Sequence, residues 1–382
     1  MANNNDNKVL NVPHLRFPEF SGEWKMCTIG ELTTKVGSGV TPRGGEAVYK
    51  TEGHPFVRSQ NVGLGNLLLD DIAFIDEETH LRQKSTELQF NDVLLNITGA
   101  SIGRSALVDK QIVGGNVNQH VCIIRTKENL VPSFICSFLL SNYGQRQIDS
   151  FQAGGNRQGL NFEQIKSIKI TIPSKDEQIK IAKLLRAIDE RIAIQNKIID
   201  KLQSLIKGIA QNVARNNKPN IRLSECLECS SSTLQESDVC KNGTYPVYGA
   251  NGIVGYLDNY NTEKEAVYII KDGSGVGTVS YVTGKCSATG TLNTLQAKEG
   301  YSLQYLYYML KVFNFEPYKT SMAIPHIYFK DYGKAKIFCP SYTEQLKYAR
   351  LLSAIDNKLS AEQSILTDLS LQKQYLLRQM FI

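Results

Sequence analysis

The chain has 382 residues, of which 42% are hydrophobic and 21% charged, and its formal net charge is +6 at pH 7. This length allows two or more domains with cores of their own, and the ordinary composition excludes a fibrous or disordered chain. No apolar run reaches the roughly 18 residues that cross a bilayer, and the polar amino terminus lacks the apolar segment of a secretory signal. We therefore expect a cytoplasmic protein without membrane spans.

The eight cysteines are scattered along the chain, a pattern typical of reduced thiols in a cytosolic protein. Cys226 and Cys229 have the spacing of half a zinc site, and Cys240 could supply a third ligand. No second pair and no nearby histidine completes this set, so the sequence predicts no metal site.

In chain order, a polar extension (1–23) precedes a segment of short apolar runs and turn signals (24–173), with a helix expected from Pro132 to Leu140. A long helical segment (174–218) follows. Residues 219–340 repeat the scheme of strands, with a helix expected from Leu303 to Leu310. A second long helical segment closes the chain (341–382).

The net positive charge lies in the two helical segments. Residues 174–218 carry ten Lys or Arg against five Asp or Glu, and residues 341–382 carry five against four, so the remainder is neutral. A mildly basic chain permits a nucleic-acid partner without requiring one. Any DNA contact outside the helices must therefore depend on local arrangements of basic groups.

Both helical segments carry a heptad seam, apolar at alternating steps of four and three residues. The seam that starts at Ile181 in the first segment reappears 167 residues later, and its single polar break, Gln195, reappears as Glu362. The seam positions expected at the interface of the helix pair are Ile181, Leu185, Ile188, Ile192, Gln195, Ile199, Leu202, Leu352, Ile355, Leu359, Glu362, Leu366 and Leu369. Gln195 facing Glu362 would fix the register of the pair; alternatively, each polar break lies at a solvated edge.

An internal repeat runs through the whole chain. The sequence EQIKIAKLLRAID, which starts at Glu177, is repeated as EQLKYARLLSAID from Glu344. Gly99 and Gly103 correspond to Gly273 and Gly277 at an offset of 174. These correspondences predict a tandem duplication. The expected fold is α+β: two β-rich recognition domains separated by two long antiparallel coiled-coil helices, with pseudo-two-fold symmetry.

This arrangement resembles the DNA-specificity subunits of type I restriction–modification enzymes. The most specific marks are the two helix starts, Ile172–Gln178 leading to Ala187-Ile188-Asp189 and Cys339–Gln345 leading to Ala354-Ile355-Asp356. The resemblance covers the chain from about Trp24 to Ile382.

Supporting marks are Tyr245–Gly252, Asn118-Gln119-His120 and Gly154-Gly155-Asn156-Arg157. The second domain departs from the first, with Leu292-Asn293-Thr294 at the offset of Asn118-Gln119-His120. The two domains are therefore expected to read different DNA sequences.

The resemblance implies target recognition domains at 24–173 and 219–340, and conserved helical spacers at 174–218 and 341–382. It further implies a bipartite, asymmetric target, two methyltransferase subunits and two motor and nuclease subunits. S-adenosylmethionine, ATP and Mg²⁺ would then be bound by those partners, and this chain would be non-catalytic.

Polar side chains on glycine-rich loops are the candidate DNA-binding residues, although Asn and Ser beside Gly also serve as ordinary turn residues and His120 could be a core histidine. In the first domain they are Arg43, Arg58, Gln60, Asn61, Arg104, Asn118, Gln119, His120 and Arg157. In the second they are Tyr248, Asn251, Lys271, Ser274, Asn293, Thr294, Ser321 and His326.

Parts of the sequence also suggest two other functions. The glycines after Val267-Tyr268-Ile269-Ile270 suggest a nucleotide-binding loop, but the β-branched segment from Thr278 to Val282 favours a strand where a dinucleotide fold needs a helix. A structural coiled-coil protein without sequence-specific DNA binding would explain the heptads. It would leave the two loop-rich domains without a role.

Overall fold

The computed structural model describes residues 11–152, 159–273, 275–320 and 325–382, and at positions 45 and 46 it describes the backbone alone. Three candidate DNA-binding residues, Arg157, Ser274 and Ser321, therefore lie outside the described residues. The chain divides into unit 1, Met1–Gln195 with Ile365–Ile382, and unit 2, Asn196–Ser364.

Unit 1 contains a four-stranded sheet in the order β2-β8-β5-β6, a three-stranded sheet β4-β3-β7 and the pair β1-β9. The strands are β1 (Lys25–Thr28), β2 (Thr33–Ser38), β3 (His54–Val57), β4 (Ala73–Ile75), β5 (Val93–Asn96), β6 (Ser105–Leu107), β7 (Asn116–Val117), β8 (Val121–Thr126) and β9 (Lys169–Ile172). The helices are α1 (Glu77–Arg82), α2 (Pro132–Leu140), α3 (Asn142–Gln152), α4 (Phe162–Ser167), the first half of α5 (Lys175–Arg215) and the last part of α9 (Tyr342–Gln379).

Unit 2 repeats this topology with a four-stranded sheet β11-β17-β14-β15, a three-stranded sheet β13-β12-β16 and the pair β10-β18. Its strands are β10 (Ile221–Arg222), β11 (Leu227–Ser231), β12 (Tyr245–Gly249), β13 (Gly252–Leu257), β14 (Ala266–Ile270), β15 (Val279–Val282), β16 (Ser287–Ala288), β17 (Leu292–Ala297) and β18 (Lys336–Ile337). Its helices are the second half of α5, α6 (Leu223–Cys226), α7 (Leu303–Lys311), α8 (Phe329–Tyr332) and the first part of α9 (Tyr342–Gln379). The expected duplication of an α+β fold is confirmed.

The sheet registers align the two copies residue by residue. Asn96 lies opposite Val121 in unit 1, and Ile270 lies opposite Leu292 in unit 2. The offset of 174 therefore holds for β5 and β14, but it falls to 171 for β8 and β17. As a result, the segment between β16 and β17, residues 289–291, corresponds to Asn118-Gln119-His120.

The long helices begin in the same way in both units. The buried amide of Gln178 accepts a hydrogen bond from Val131 N–H (2.9 Å) and donates to the Pro173 carbonyl (3.1 Å). Gln345 accepts from Ser302 N–H (2.9 Å) and donates to the Pro340 carbonyl (2.9 Å). The identical Glu-Gln pairs in the sequence thus fix each long helix to the domain helix beside it.

The helices run antiparallel within each unit. In unit 1, Thr171 before α5 donates to the carbonyl of Ile382, whereas Asp189 further along α5 pairs with Lys373. In unit 2, Asn220 after α5 exchanges hydrogen bonds of 2.7 and 2.8 Å with Cys339 before α9.

The predicted seam positions of α5 and α9 are all buried or half-buried. Gln195 is 7% exposed and Glu362 6% exposed. The interpretation that these polar breaks lie at solvated edges is therefore wrong.

The core of unit 1 joins the domain to the helices. Trp24, Phe134 and Phe138 pack in one hydrophobic cluster with Leu185 and Phe381. The core of unit 2 instead contains fully buried tyrosines, among them Tyr268, Tyr305, Tyr308 and Tyr332. Among the described residues, no helix combines the length and apolar character required to cross a bilayer.

Candidate nucleic-acid interface

Three strand ends in unit 1 meet to form what we call the first loop edge: residues 58–61 after β3, residues 97–104 after β5, and residues 118–120 after β7. Backbone hydrogen bonds join Asn118 N–H to the Val57 carbonyl (3.0 Å) and Ile97 N–H to the His120 carbonyl (3.0 Å). The side chain of Asn96 donates to the Ser59 carbonyl (2.8 Å). Polar residues far apart in sequence are thereby brought together.

Arg58 and Gln60 are held in place by Asp71. Arg58 Nη2 donates to the carbonyl and the carboxylate of Asp71 (2.9 and 3.2 Å), and Gln60 Nε2 also donates to that carboxylate. The Arg58 guanidinium lies 5.3 Å from the centre of the Tyr49 ring. An arginine fixed on both sides loses little conformational entropy when it binds a base or a phosphate.

His120 and Gln119 occupy the middle of the first loop edge. His120 Nδ1 lies 2.7 Å from Thr98 Oγ1, and its Nε2 lies 3.4 Å from Gln119 Nε2. His120 is half-buried and Gln119 is exposed, so solvent reaches both side chains at the first loop edge. His120 is therefore not an enclosed core histidine.

The other candidates of unit 1 differ in exposure. Arg43 and Arg104 are exposed, and Arg104 is the last residue of the turn between β5 and β6. Asn61 is 1% exposed and Asn118 7% exposed. Both amides bond to the backbone within their own loops, Asn61 with Arg58 N–H (2.9 Å) and Asn118 with His120 N–H (3.0 Å), so they shape the loops.

Unit 2 forms an equivalent second loop edge from residues 248–252, 271–273, 289–291 and 325–326. Thr289 N–H donates to the Tyr248 carbonyl (2.9 Å), Lys271 N–H to the Thr291 carbonyl (3.0 Å) and Gly273 N–H to the Pro325 carbonyl (3.1 Å). Asn251 is exposed in the turn between β12 and β13, and Tyr248 and Lys271 are half-buried. The same strand ends meet as in unit 1, with different side chains.

His326 is oriented by a carboxylate. Its Nδ1 lies 2.7 Å from Asp272 Oδ1, and both side chains are 35% exposed. The carboxylate accepts the Nδ1 proton and thereby fixes the ring, which leaves Nε2 available to a ligand. His120 in unit 1 is oriented by a hydroxyl group instead.

Two candidates of unit 2, Asn293 and Thr294, lie inside strand β17 and are 4% and 8% exposed. Asn293 accepts from Ser231 Oγ (3.1 Å) and donates to the Tyr332 hydroxyl (3.0 Å), which is a structural role. The alignment of Leu292-Asn293-Thr294 with Asn118-Gln119-His120 was wrong, because the three-residue change of offset inside the domain is visible only in the sheet register.

Sequence reasoning missed four residues of the edges: Thr289 and Thr291, which replace the polar tripeptide of unit 1, and the orienting carboxylates Asp71 and Asp272. Thr289 Oγ1 and Thr291 Oγ1 lie 2.8 Å apart. The glycine between them, next to a short strand, was the available sequence signal of a tight turn. No sequence signal linked Asp272 to His326, which lies 54 residues away.

The rival sites do not form in the described part of the chain. The segment after Gly277 is strand β15, so the glycine-rich stretch is a strand-to-strand turn and lacks the helix of a dinucleotide site. Burial raises the pKa of Cys226 to about 12 and that of Cys229 to about 11. Within the described ranges, no cluster of three His, Cys, Asp or Glu side chains is arranged to hold a metal.

Known proteins with similar sequences and structures identify the family of this chain. The family model described as type I restriction modification DNA specificity domain matches residues 21–204 and 219–370. This match covers well over half of the chain, and the chain belongs to this family of DNA specificity proteins.

Individual relatives are distant. The chain is 25% identical over 315 residues to a Mycoplasma genitalium protein described as a type I specificity subunit, covering 76% of this chain and 81% of that protein. It is 23% identical over 202 residues to the type I restriction enzyme EcoKI specificity subunit of Escherichia coli K12, covering 50% of this chain and 41% of that subunit.

Among solved structures, the crystal structure of a type I restriction–modification S subunit from M. genitalium matches with a TM-score of 0.68 at 20% identity, over 97% of this chain and 99% of that one. A chain from a structural study of type I complex assembly and conformational transition matches with a TM-score of 0.54 at 17% identity, over 93% and 96%. These likenesses show the fold.

Proposed function

We propose that this chain reads a bipartite, asymmetric DNA target, one half-site at each loop edge. The observation that supports this proposal is the duplication itself: the same strand ends form an edge in each unit, but the side chains on the two edges differ. One small domain can contact only a few base pairs, because sequence is read at base edges within one groove. Two unlike edges on one chain extend the target and make its halves unequal.

The side chains on the edges suit this task. Arg58 and Arg104 can donate to guanine or to phosphate, and the Gln60 and Gln119 amides can both donate to and accept from adenine. In unit 2, Lys271 can contact a phosphate, and His326 Nε2, Asn251 and the Thr291 hydroxyl can bond to base edges, whereas the buried Thr289 holds Thr291 in place. The basic helices α5 and α9 would add affinity without carrying sequence information.

The long helices would set the separation of the half-sites. At about 1.5 Å per residue, the 41 residues of α5 extend for roughly 60 Å. Adding or removing a turn of helix would change both the distance and the rotational phase of the half-sites.

We propose further that two methyltransferase subunits and two motor and nuclease subunits assemble on this chain. The duplicated long helices, α5 and α9, support a two-copy partner, since they offer two similar docking faces. S-adenosylmethionine, ATP and Mg²⁺ would bind to those partners, and this chain would supply recognition alone.

Selection from random-sequence duplexes, with the methyltransferase partner present, tests the proposal. The expected result is one motif with two defined parts and an unspecified gap. Arg104→Ala should relax only one part and Asn251→Ala only the other, because each exposed side chain lies on one edge. Lys218→Ala, outside both edges, is the matched control and should leave the motif unchanged. Selection of no sequence would contradict the proposal and favour a structural coiled-coil protein.

A further inference from the structure

The loop between β3 and β4 of unit 1, residues 58–72, is attached to the helix pair at its tip. We call it the anchored loop. Lys373 Nζ on α9 donates to the carbonyl of Leu64 (3.0 Å) and pairs with Asp189 Oδ1 on α5 (2.5 Å). The Lys373 side chain is only 15% exposed. One ammonium group therefore joins the loop, α5 and α9.

The tip fits closely against this ammonium group. Gly65 has a φ of +100°, and a Cβ added there would lie 3.2 Å from Lys373 Nζ and 3.3 Å from Asp189 Oδ2. The backbone N–H of Gly65 donates to the Ser105 carbonyl (2.9 Å). A residue with a side chain at this position would be strained by the positive φ and would crowd the ends of the Lys373 and Asp189 side chains by a few tenths of an ångström.

The anchored loop is internally braced, so its tip and its base move together. Gly63 N–H donates to the Asn66 carbonyl (2.9 Å), and Leu68 N–H donates to the Asn61 carbonyl (2.9 Å). At the base, Asn61 Nδ2 donates to the Leu68 carbonyl (2.9 Å). The base carries Arg58 and Gln60, both bonded to Asp71. The position of the tip is thereby transmitted to two side chains of the first loop edge.

In the described part of unit 2, the loop and the lysine of this attachment have no counterpart, and only the aspartate is kept. Only residues 250–251 separate β12 from β13, so no loop reaches the helices. At the repeat offset, Asp189 corresponds to Asp356, and Lys373 corresponds to Ile206. Asp356 instead accepts from the Tyr308 hydroxyl (3.2 Å).

At this place in unit 2 there is a cavity of about 440 Å³, lined by Ile206, Lys311 and Asp356 among others. Lys311 is the last residue of α7, and Leu140, whose Cδ1 would lie 3.6 Å from a Cβ added at Gly65, is the last residue of α2. The second copy thus shows the same site without the loop, and the attachment is a specific addition to unit 1.

We propose that Lys373 is a positioning residue for DNA recognition: by anchoring the loop tip to α5 and α9, it fixes Arg58 and Gln60 and so determines how strictly the first half-site is read. This inference depends on the proposed function, because it assigns a regulator to one of the two half-sites. Lys373 itself contacts no base in this account.

The test uses the full chain with its methyltransferase partner and competition against duplexes that carry one mismatched base pair in one half-site. The first half-site is the one relaxed by Arg58→Ala. A mismatch in a specific site weakens binding by about tenfold to a hundredfold. Lys373→Met should reduce this discrimination to about a few-fold at the first half-site and leave it unchanged at the second. Gly65→Ala, which keeps the charge pair, should act in the same direction.

Two controls separate positioning from general damage. Gln374→Met alters the next, exposed residue of α9 and should change neither half-site, while Lys373→Arg should restore discrimination. Amide hydrogen exchange should accelerate at residues 58–72 in Lys373→Met but not at residues 249–257. Unchanged discrimination at the first half-site, or equal loss at both, overturns the inference. Absence of a bipartite motif in the parent protein would instead overturn the proposed function.

Discussion

Units 1 and 2 share their sheet orders and a buried glutamine at the start of each long helix, yet they differ where strands end at a loop edge. Gln178 and Gln345 share two hydrogen bonds, to which Gln178 adds one to the Asn129 carbonyl (3.2 Å), whereas the tripeptide at 118–120 is replaced by residues 289–291. Framework positions determine whether the chain folds, and so both copies keep them. Loops at strand ends can vary without loss of the core, which allows two edges on one scaffold to bind different sequences.

The units also differ where the long helices begin. Glu177 is 1% exposed and is paired with Arg16 by two hydrogen bonds of 2.7 and 2.8 Å. Its counterpart Glu344 is exposed and accepts from Ser341 Oγ. Among the described residues, Arg16 pairs with the carboxylate at the first helix start, and Glu344 at the second has no arginine partner, so removal of the two carboxylates should have unequal effects.

The largest expected effect is on the helix seam. Leu359→Asp in unit 2 places a charge at a site that is 7% exposed and should destabilise unit 2 by about 4 kcal/mol. Ile192→Asp lies at a half-buried seam position of unit 1. It should destabilise unit 1 by about half as much as Leu359→Asp destabilises unit 2, because water reaches the carboxylate. Hydrogen exchange in α7 measures the stability of unit 2, and exchange in α2 measures that of unit 1. A larger loss of stability for Ile192→Asp than for Leu359→Asp would contradict the difference in seam burial.

Arg16→Met should destabilise unit 1 by about 3 kcal/mol, because it leaves the buried Glu177 carboxylate without its partner. Trp24 is the single tryptophan of the chain and lies in the unit 1 core, so urea unfolding followed by its fluorescence reports this unit. Glu344→Gln alters the equivalent carboxylate in unit 2 and should change the stability of that unit by less than about 0.5 kcal/mol, measured by hydrogen exchange in α7 because Trp24 reports unit 1. Equal losses would show that the two helix starts do not differ.

Gln178→Ala and Gln345→Ala should each cost about 1–2 kcal/mol, since each leaves a buried N–H and a buried carbonyl without a partner. The two hydrogen-bond sets are nearly identical, so equal effects are expected, measured by hydrogen exchange at the first turns of α2 and α7. A difference of more than about 1 kcal/mol would break the equivalence of the two starts.

The smallest effect is expected at the orienting carboxylates. Asp71→Ala should weaken binding to the first half-site, and Asp272→Ala binding to the second, each by about 1 kcal/mol through loss of side-chain preorganisation. Titration of duplexes altered in one half-site measures this. Tighter DNA binding after removal of either carboxylate would mean that the carboxylate repels DNA phosphates and does not preorganise Arg58 or His326 for binding.

The sequence predicted the framework because the framework is periodic. The heptad seam of α5 and α9 and the repeated Glu-Gln pairs located both helices and the duplication, and the helices at Pro132 and Leu303 were confirmed. The loop edges depend on contacts between distant segments. The carboxylates that orient Arg58 and His326, and the attachment of Leu64 by Lys373, follow from the fold alone. The alignment error at 292–294 arose in the same way, from a length change inside a domain.

The most direct measurement is a genome-wide map of methylated adenines in a host that expresses the chain with its methyltransferase partner. We predict a single motif with two unequal parts and a fixed gap, in which Arg104→Ala changes one part and Asn251→Ala changes only the other. A continuous motif without a gap, or the same part altered by both substitutions, would contradict the assignment of one half-site to each loop edge.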